Sequence, residues 1–194
     1  MKKIAILLAE GYEEGEVMFA VDIFRRGGLQ CDLISVTQKM QVKSCNSVTV
    51  EADRFLGADV KDGYDVLMLP GGQPGAENLK KVPEVLDLVR HYINKEGKLL
   101  AAVCSAPIVL QEAGVLKGKR ITSYPSEKYI SQFTESEYIQ DEMVVIDGNL
   151  ITSRGPVSVL PFAYKVVEML GIDSAALQKR MQYTTLVSNI KRNN

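Results

Sequence analysis

Two patterns of apolar residues alternate along this chain. One is the short continuous run, seen at Ile4 to Ala9, Val66 to Leu69 and Leu99 to Val103, with Cys31 to Val36 as a further strand. Such runs are expected of strands buried on both faces. The other has helical spacing. Glu16 to Arg26 places Val17, Ala20, Val21 and Phe24 on one face and stops at Gly27-Gly28. Val82 to Asn94 does the same with Val85, Leu86, Val89 and Ile93. Ala106 to Ala113 closes at Gly114, and Val157 to Leu170 is capped by Gly171. A last helix is predicted over Asp173 to Tyr183, with a frayed end over Lys191 to Asn194. Val42 to Ala52 reads as an irregular hairpin rich in β-branched residues. Between Arg120 and Ile151 only short strand-like pieces stand out, among them Met143 to Ile146 and Leu150 to Thr152 across the turn Asp147-Gly148-Asn149.

Strand and helix alternate, so the expectation is an α/β fold with a mostly parallel sheet and helices on both faces. No repeat, linker or low-complexity segment divides the chain, and residues 1–194 read as a single domain. In such sheets the site lies at the carboxyl ends of the strands. Three loops leave those ends with unusual chemistry: Glu10 to Glu16, Pro70 to Gly75, and Cys104 to Pro107.

Composition narrows the function classes. Hydrophobic residues make up 46%, enough for a packed core, and the net charge is −1 with acids and bases mixed. Nothing suggests a platform for nucleic acid or anionic lipid. Three cysteines, Cys31, Cys45 and Cys104, argue against a disulfide framework and for a reducing compartment. Met1-Lys2-Lys3 before an apolar run imitates a signal peptide, but the run stops at Glu10 and no cleavage site follows. No apolar run reaches membrane-span length. A cytoplasmic protein is expected.

Cys104 joins a buried strand to a helix in Ala102-Val103-Cys104-Ser105-Ala106-Pro107. This is the layout of a nucleophile elbow, which needs small residues two before and two after the nucleophile. Both are alanine. A helix N-terminus favours the thiolate, and the N–H of Ser105 points where an oxyanion would form. Pro107 costs nothing so early in a helix. The competing reading is a small buried cysteine ending a core strand. Cys31 reads as core. Cys45 reads as a hairpin residue with no acid, base or helix start nearby.

Leu69-Pro70-Gly71-Gly72 permits a tight turn and close backbone approach, and Gly72 offers a second N–H beside Cys104. Gly71, Gly72 and Gly75 do not match dinucleotide spacing, and no P-loop lysine follows. The loop Glu10-Gly11-Tyr12-Glu13-Glu14-Gly15-Glu16 carries four carboxyls. One of them, kept neutral, would donate a hydrogen bond to a thiolate and shuttle protons. The residues alone leave open which one. No metal-ligand cluster is evident, so no metal or organic cofactor is expected.

Together, Glu-Glu-x-Glu after the first strand, Leu-Pro-Gly-Gly after the third, Ala-Ala-Val-Cys-Ser-Ala-Pro at the elbow and Thr152-Ser153-Arg154-Gly155-Pro156 near the end resemble the ThiJ/PfpI family. The branch most similar is the parkinsonism-associated, deglycase-like one with its bacterial relatives. The resemblance covers nearly the whole chain. It implies a flavodoxin-like, doubly wound sheet of the class I glutamine amidotransferase-like type, and a homodimer. It also implies Glu16 as the protonated partner of Cys104, Gly71 close by, Gly72 and Ser105 as backbone donors, and Arg154-Gly155-Pro156 near the site and the dimer contact. Family activities are glyoxalase and deglycase chemistry on small aldehydes, dicarbonyls and their adducts, or oxidation sensing and chaperoning. This sequence departs at one place. The Thr-His-Pro stretch of relatives reads Ser123-Tyr124-Pro125 here, which leaves Tyr124 to supply a hydroxyl in place of the imidazole. The single histidine, His91, reads as a surface residue on a helix. No Cys-His-acid triad can be assembled, which counts against peptidase or amidotransferase chemistry.

Overall fold

The computed structural model describes residues 1–192. The chain opens with β1 (Lys3–Leu8), α1 (Glu14–Arg26) and β2 (Gln30–Ser35). A hairpin of β3 (Gln41–Lys43) and β4 (Thr49–Glu51) follows, then β5 (Arg54–Phe55) and the short α2 (Val60–Gly63). Next come β6 (Val66–Leu69), α3 (Gly75–Leu79), α4 (Pro83–Asn94), β7 (Leu99–Val103) and α5 (Pro107–Glu112). The irregular stretch resolves into β8 (Arg120–Ile121), α6 (Glu127–Ile130), β9 (Glu137–Tyr138) and the hairpin β10 (Val144–Asp147) and β11 (Leu150–Ser153). A 3-10 turn, Pro156–Ser158, leads into α7 (Val159–Met169), followed by α8 (Ala175–Arg180) and α9 (Tyr183–Arg192).

Seven strands form the main sheet in the order β10-β11-β7-β6-β1-β2-β5. All neighbours are parallel except the edge pair β10 and β11. The expected mostly parallel α/β sheet is therefore present. Its alternation divides the core. Ile4, Ile6 and Leu8 of β1 join Val17, Ala20 and Phe24 of α1 and Phe162 and Val166 of α7 on one face. Ala5, Leu7 and Ala9 join Val85 and Val89 of α4 and Val109 and Leu110 of α5 on the other. This is the period-2 geometry of a strand covered twice.

From β1 the chain first winds to β2 on one side, then returns to β6 on the other. The reversal leaves a crevice at the carboxyl ends of β1 and β6, beside β7. All three unusual loops open there.

Four boundaries differ from the sequence expectation. The first helix begins at Glu14, so Glu16 sits in its first turn instead of at its start. A 3-10 turn precedes the helix expected from Val157. Gly75–Leu79 folds as a short helix that the apolar pattern was too brief to announce. The helix expected over Asp173 to Tyr183 breaks at Gln182, whose φ is +62°, and a separate α9 follows. The Asp173 carboxylate accepts the Ala175 N–H at 2.9 Å, which starts α8 two residues late. Of the end expected to fray, Lys191 and Arg192 close α9, and residues 193 and 194 lie outside the described residues.

Candidate active site

Cys104 follows β7 directly and has a φ of +62°. A non-glycine residue in the left-handed region costs energy and persists only where its surroundings fix it. Here the Cys104 N–H donates to the Ser153 carbonyl at 2.8 Å, and its own carbonyl accepts the Tyr124 N–H at 2.8 Å. Ala102 and Ala106 on either side are fully buried. The elbow read from sequence is thus present, with the cysteine 9% exposed.

The glycine turn is built against this cysteine. A Cβ on Gly71 would lie 2.6 Å from the Cys104 Cβ and 2.9 Å from the Ser105 nitrogen. Gly72 has a φ of +92°, and a Cβ there would lie 2.4 Å from the Glu13 nitrogen. Both positions require glycine, one for close approach and one for conformation and space. The N–H groups of Gly72 and Ser105 both address the Cys104 sulfur. The Ser105 hydroxyl donates to the Gly72 carbonyl at 3.3 Å and ties the two turns together.

Glu16 is the loop carboxyl that reaches this site. It is fully buried, and its Oε2 accepts the Gly71 N–H at 2.7 Å. Its carboxyl and the Cys104 thiol each shift the other's proton affinity. Oε1 is buried with no partner among the described residues. Burial therefore dominates and pushes Glu16 up to about 8, against the lowering effect of its contacts with Gly71 and Cys104. At neutral pH the acid is mostly protonated.

The direction for Cys104 corrects the expectation of a thiolate favoured by the helix start. Burial pushes the thiol up, the charge and hydrogen bond of Glu16 push it further, and the Gly72 and Ser105 N–H groups pull it down. The helix α5 that follows is only six residues long. Thiol and carboxyl therefore form one coupled site, and Glu16 is the group that holds or releases the proton near neutrality.

The cavity over Cys104 has a volume of about 150 Å³. Gly72, Gln73, Cys104, Ser105, Tyr124 and Tyr129 line it. Tyr124, expected as a possible replacement for the family histidine, does reach this cavity and is 47% exposed. Its ring meets that of Tyr129 edge-on, with centroids 6.4 Å apart. Arg154 is not among the lining residues: its Nη1 donates to the Gln140 carbonyl at 2.8 Å. Two lining residues, Gln73 and Tyr129, were not singled out from sequence. The position of Gln73 directly after Gly71-Gly72 was the available signal. His91 pairs with Asp62 at 3.2 Å on α4 and has no part in this site. A larger cleft of about 510 Å³ opens beside β2 and β5, lined by Phe55 and Lys61 among others, and no cysteine lines it.

The other cysteines divide. Cys31 lies in the core as expected, and burial pushes its thiol up to about 12. Cys45 does not match its expectation. The β3–β4 hairpin docks on the acidic loop, with the Gly11 N–H donating to Lys43 and the Cys45 N–H to Tyr12, both at 2.8 Å. This brings the Cys45 Sγ to 3.0 Å from the Glu13 Oε2 and 3.8 Å from the Glu14 Oε2. One ligand atom from each of these three residues lies within 4.8 Å of the others, where no metal-ligand cluster was expected.

The DJ-1/PfpI family matches residues 2–169. Protein dj-1beta of Drosophila melanogaster is 39% identical over 171 residues, covering 87% of this chain and 89% of that protein. The glutathione-independent glyoxalase DJ-1 of Schizosaccharomyces pombe is 30% identical over 178 residues, covering 88% and 92%. Among solved structures, a cysteine-to-alanine mutant of a DJ-1 superfamily protein from Salmonella typhimurium superposes with a TM-score of 0.82 or better: its value is 0.84, at 33% identity, over 95% of this chain and 98% of that one. With the family matched over residues 2–169, the chain belongs to the DJ-1/PfpI family.

Proposed function

We propose that the protein is a cofactor-free, cysteine-dependent enzyme of the glyoxalase and deglycase type, acting on methylglyoxal or related reactive aldehydes and their adducts. The observation that carries this reading is Cys104 in its left-handed turn, with two N–H donors on its sulfur and a buried acid of pKa about 8 against it. A general acid–base poised near neutral pH is what a proton-shuttling step needs.

With one proton shared between Cys104 and Glu16, the sulfur attacks the aldehyde carbon. A C–S bond forms, and the carbonyl π pair moves onto oxygen, facing the N–H groups of Gly72 and Ser105. Glu16 gives its proton to that oxygen, closing a hemithioacetal. As a carboxylate it then removes the proton from the former aldehyde carbon and returns it to the neighbouring carbon, while the hydroxyl proton of the hemithioacetal passes to the former ketone oxygen and the C=O re-forms beside sulfur. The result is a thioester, which water hydrolyses to a hydroxy acid and free thiol.

We also propose a homodimer and a cytoplasmic setting. Exposed Met18 and Phe19 on α1 and Val157 on the 3-10 turn that packs against it support the dimer. No described helix is long and apolar enough to cross a membrane.

The test is turnover of methylglyoxal by wild type and Cys104→Ser, with the lactate formed counted directly. Cysteine-dependent release supports the enzyme; full retention in the variant ends it. A redox-responsive role is the second reading, favoured by the half-exposed Tyr124 at the position of the family histidine. An accessible sulfur held by two N–H groups and a neutral acid also suits a sulfinate. Mild peroxide should then add two oxygens to Cys104 alone, and equal oxidation of Cys31 and Cys45 would sink that role.

A further inference from the structure

Two tyrosine rings wall the cavity over Cys104, and the chemistry above leaves both unused. Tyr129 is 6% exposed and Tyr124 is 47% exposed, so one ring forms the inner wall and the other the rim. A single exposed aromatic ring is ordinary on a protein surface. This one stands in a particular place. The Tyr124 backbone N–H donates to the carbonyl of Cys104 at 2.8 Å, which ties the rim to the nucleophile itself. Its own carbonyl accepts the Ser126 N–H at 2.8 Å.

The ring is also held. It stands edge-on to Tyr129, with an interplanar angle of 84°. On another flank its Cδ2 faces the backbone of Gly155, where an added Cβ would lie 3.7 Å away. The exposed remainder borders the space in front of the sulfur. That space is small. A cavity of about 150 Å³ holds about one benzene-sized molecule. The reacting carbons of a 2-oxoaldehyde bound at Cys104 take much of it. A methyl substituent fits within what is left. A flat aromatic substituent has to lie at the rim, where the Tyr124 ring offers it a stacked or edge-on contact.

We propose that Tyr124 is a specificity-determining residue whose ring holds the substituent of an aromatic 2-oxoaldehyde while Cys104 takes the aldehyde carbon. This rests on Cys104 being the carbonyl nucleophile of the proposed function, but not on turnover. The ring carries the role, and the hydroxyl does not. The adduct step balances without a further reagent: the thiol S–H adds across the aldehyde C=O to give S–C–O–H, and nothing is oxidised.

The experiment compares phenylglyoxal with methylglyoxal, which share the reacting carbons and differ in the substituent. The mandelate and lactate formed are counted directly. The ratio of kcat/KM for phenylglyoxal to that for methylglyoxal is taken for wild type, Tyr124→Leu and Tyr124→Phe. Leucine removes the ring and should lower the ratio about three- to tenfold. Phenylalanine keeps the ring and should leave the ratio within about twofold of wild type. In parallel, each aldehyde is titrated against full-length protein, and protection of Cys104 from iodoacetamide is read by peptide mass spectrometry. That readout needs the adduct but no turnover, and its selectivity should shift in the same way. A ratio unmoved in Tyr124→Leu would overturn the proposal. So would an equal fall in Tyr124→Phe, which would assign selection to the hydroxyl. Ring-dependent protection without release of either acid would end the enzyme reading and leave Tyr124 its role. Acid release with both ratios unmoved in Tyr124→Leu would do the opposite, and neither protection nor acid from either aldehyde would end both.

Discussion

The acidic loop touches two thiols, Cys104 and Cys45, under opposite conditions. Cys104 meets Glu16, which is fully buried and has one orphaned oxygen. Burial there falls on both groups: it pushes the thiol up and keeps the acid protonated up to about 8. Two backbone N–H groups are also aimed at the sulfur. Cys45 meets Glu13 and Glu14 in the half-buried groove under the hairpin, where its thiol donates to a carboxylate. Its pKa is pushed up to about 12 by burial first, then by the hydrogen bond to Glu13 and the charges of Glu13 and Glu14. A thiol beside a carboxyl is thus not a reactive pair in itself. Which partner loses its solvent, and whether N–H groups face the sulfur, decide whether the acid serves the thiol or suppresses it.

The largest effect should come from exchanging the thiols for hydroxyls one at a time. Cys104→Ser is expected to lower lactate formation from methylglyoxal by about a thousandfold or more. Cys45→Ser is expected to leave it within about twofold, since no pair of backbone N–H groups faces that sulfur, whose N–H contact is the Asn46 side-chain amide at 3.4 Å. Comparable losses in both would break the contrast. The next effect concerns the backbone behind Cys104. Gly71→Ala places a methyl 2.6 Å from the Cys104 Cβ. The turn must then shift, with a stability loss of about 1–3 kcal/mol by urea unfolding. Turnover should fall about a hundredfold, because the sulfur leaves its N–H donors.

How far the sequence carried this contrast differs between the two thiols. The Cys104 side was legible because its signals are local. Continuous apolar runs mark β6 and β7, alanines flank the elbow, and Gly71-Gly72 follows a strand end. The choice of Glu16 among four carboxyls was not local; it came from resemblance, and burial under the Gly71 turn supplies its physical reason. The Cys45 side was illegible because its partners arrive by tertiary docking, through backbone hydrogen bonds from Gly11 to Lys43 and from Cys45 to Tyr12. The pKa direction at Cys104 was missed for a related reason: a helix start is visible in sequence, whereas desolvation by the surrounding fold is not. Gln73 and Tyr129 escaped notice because the cavity they line exists only once the fold has formed. At the C-terminus, the break between α8 and α9 falls on a left-handed Gln182, and no glycine marks the spot.

The buried acid also predicts a stability effect that Glu16→Gln should expose. The ordinary carboxyl value is about 4.3, and the folded value is about 8. Below the lower value both folded and unfolded chains hold the proton, and the group does not favour either. Between the two values the unfolded chain has released the proton while the fold retains it, so stability falls as pH rises, and the loss is complete above about 8. Glutamine does not titrate. Between pH 5 and pH 8 the variant should therefore gain on wild type by about 2–4 kcal/mol, read from urea midpoints at the two values. A constant difference across that window would mean that Glu16 is ionised in the fold, and the contrast with the loop's other carboxyls would go.

The smallest effect tests the suppressing side. Glu13→Gln removes the acceptor of the Cys45 S–H and one of the two charges that hold its proton. The Cys45 pKa should fall toward the ordinary thiol value. Its alkylation by iodoacetamide at pH 8 should then quicken by about three- to tenfold. The same substitution reaches the Cys104 site only through the weak charge effect of Glu13 on Glu16, the last and least of the causes acting there. Alkylation of Cys104 in the same sample, resolved by peptide mass spectrometry, should change by less than about twofold. If Cys104 responded as strongly as Cys45, the two carboxyl–thiol pairs would be one electrostatic unit, and the separation drawn between a buried acid and a solvated one would fail at its most sensitive point.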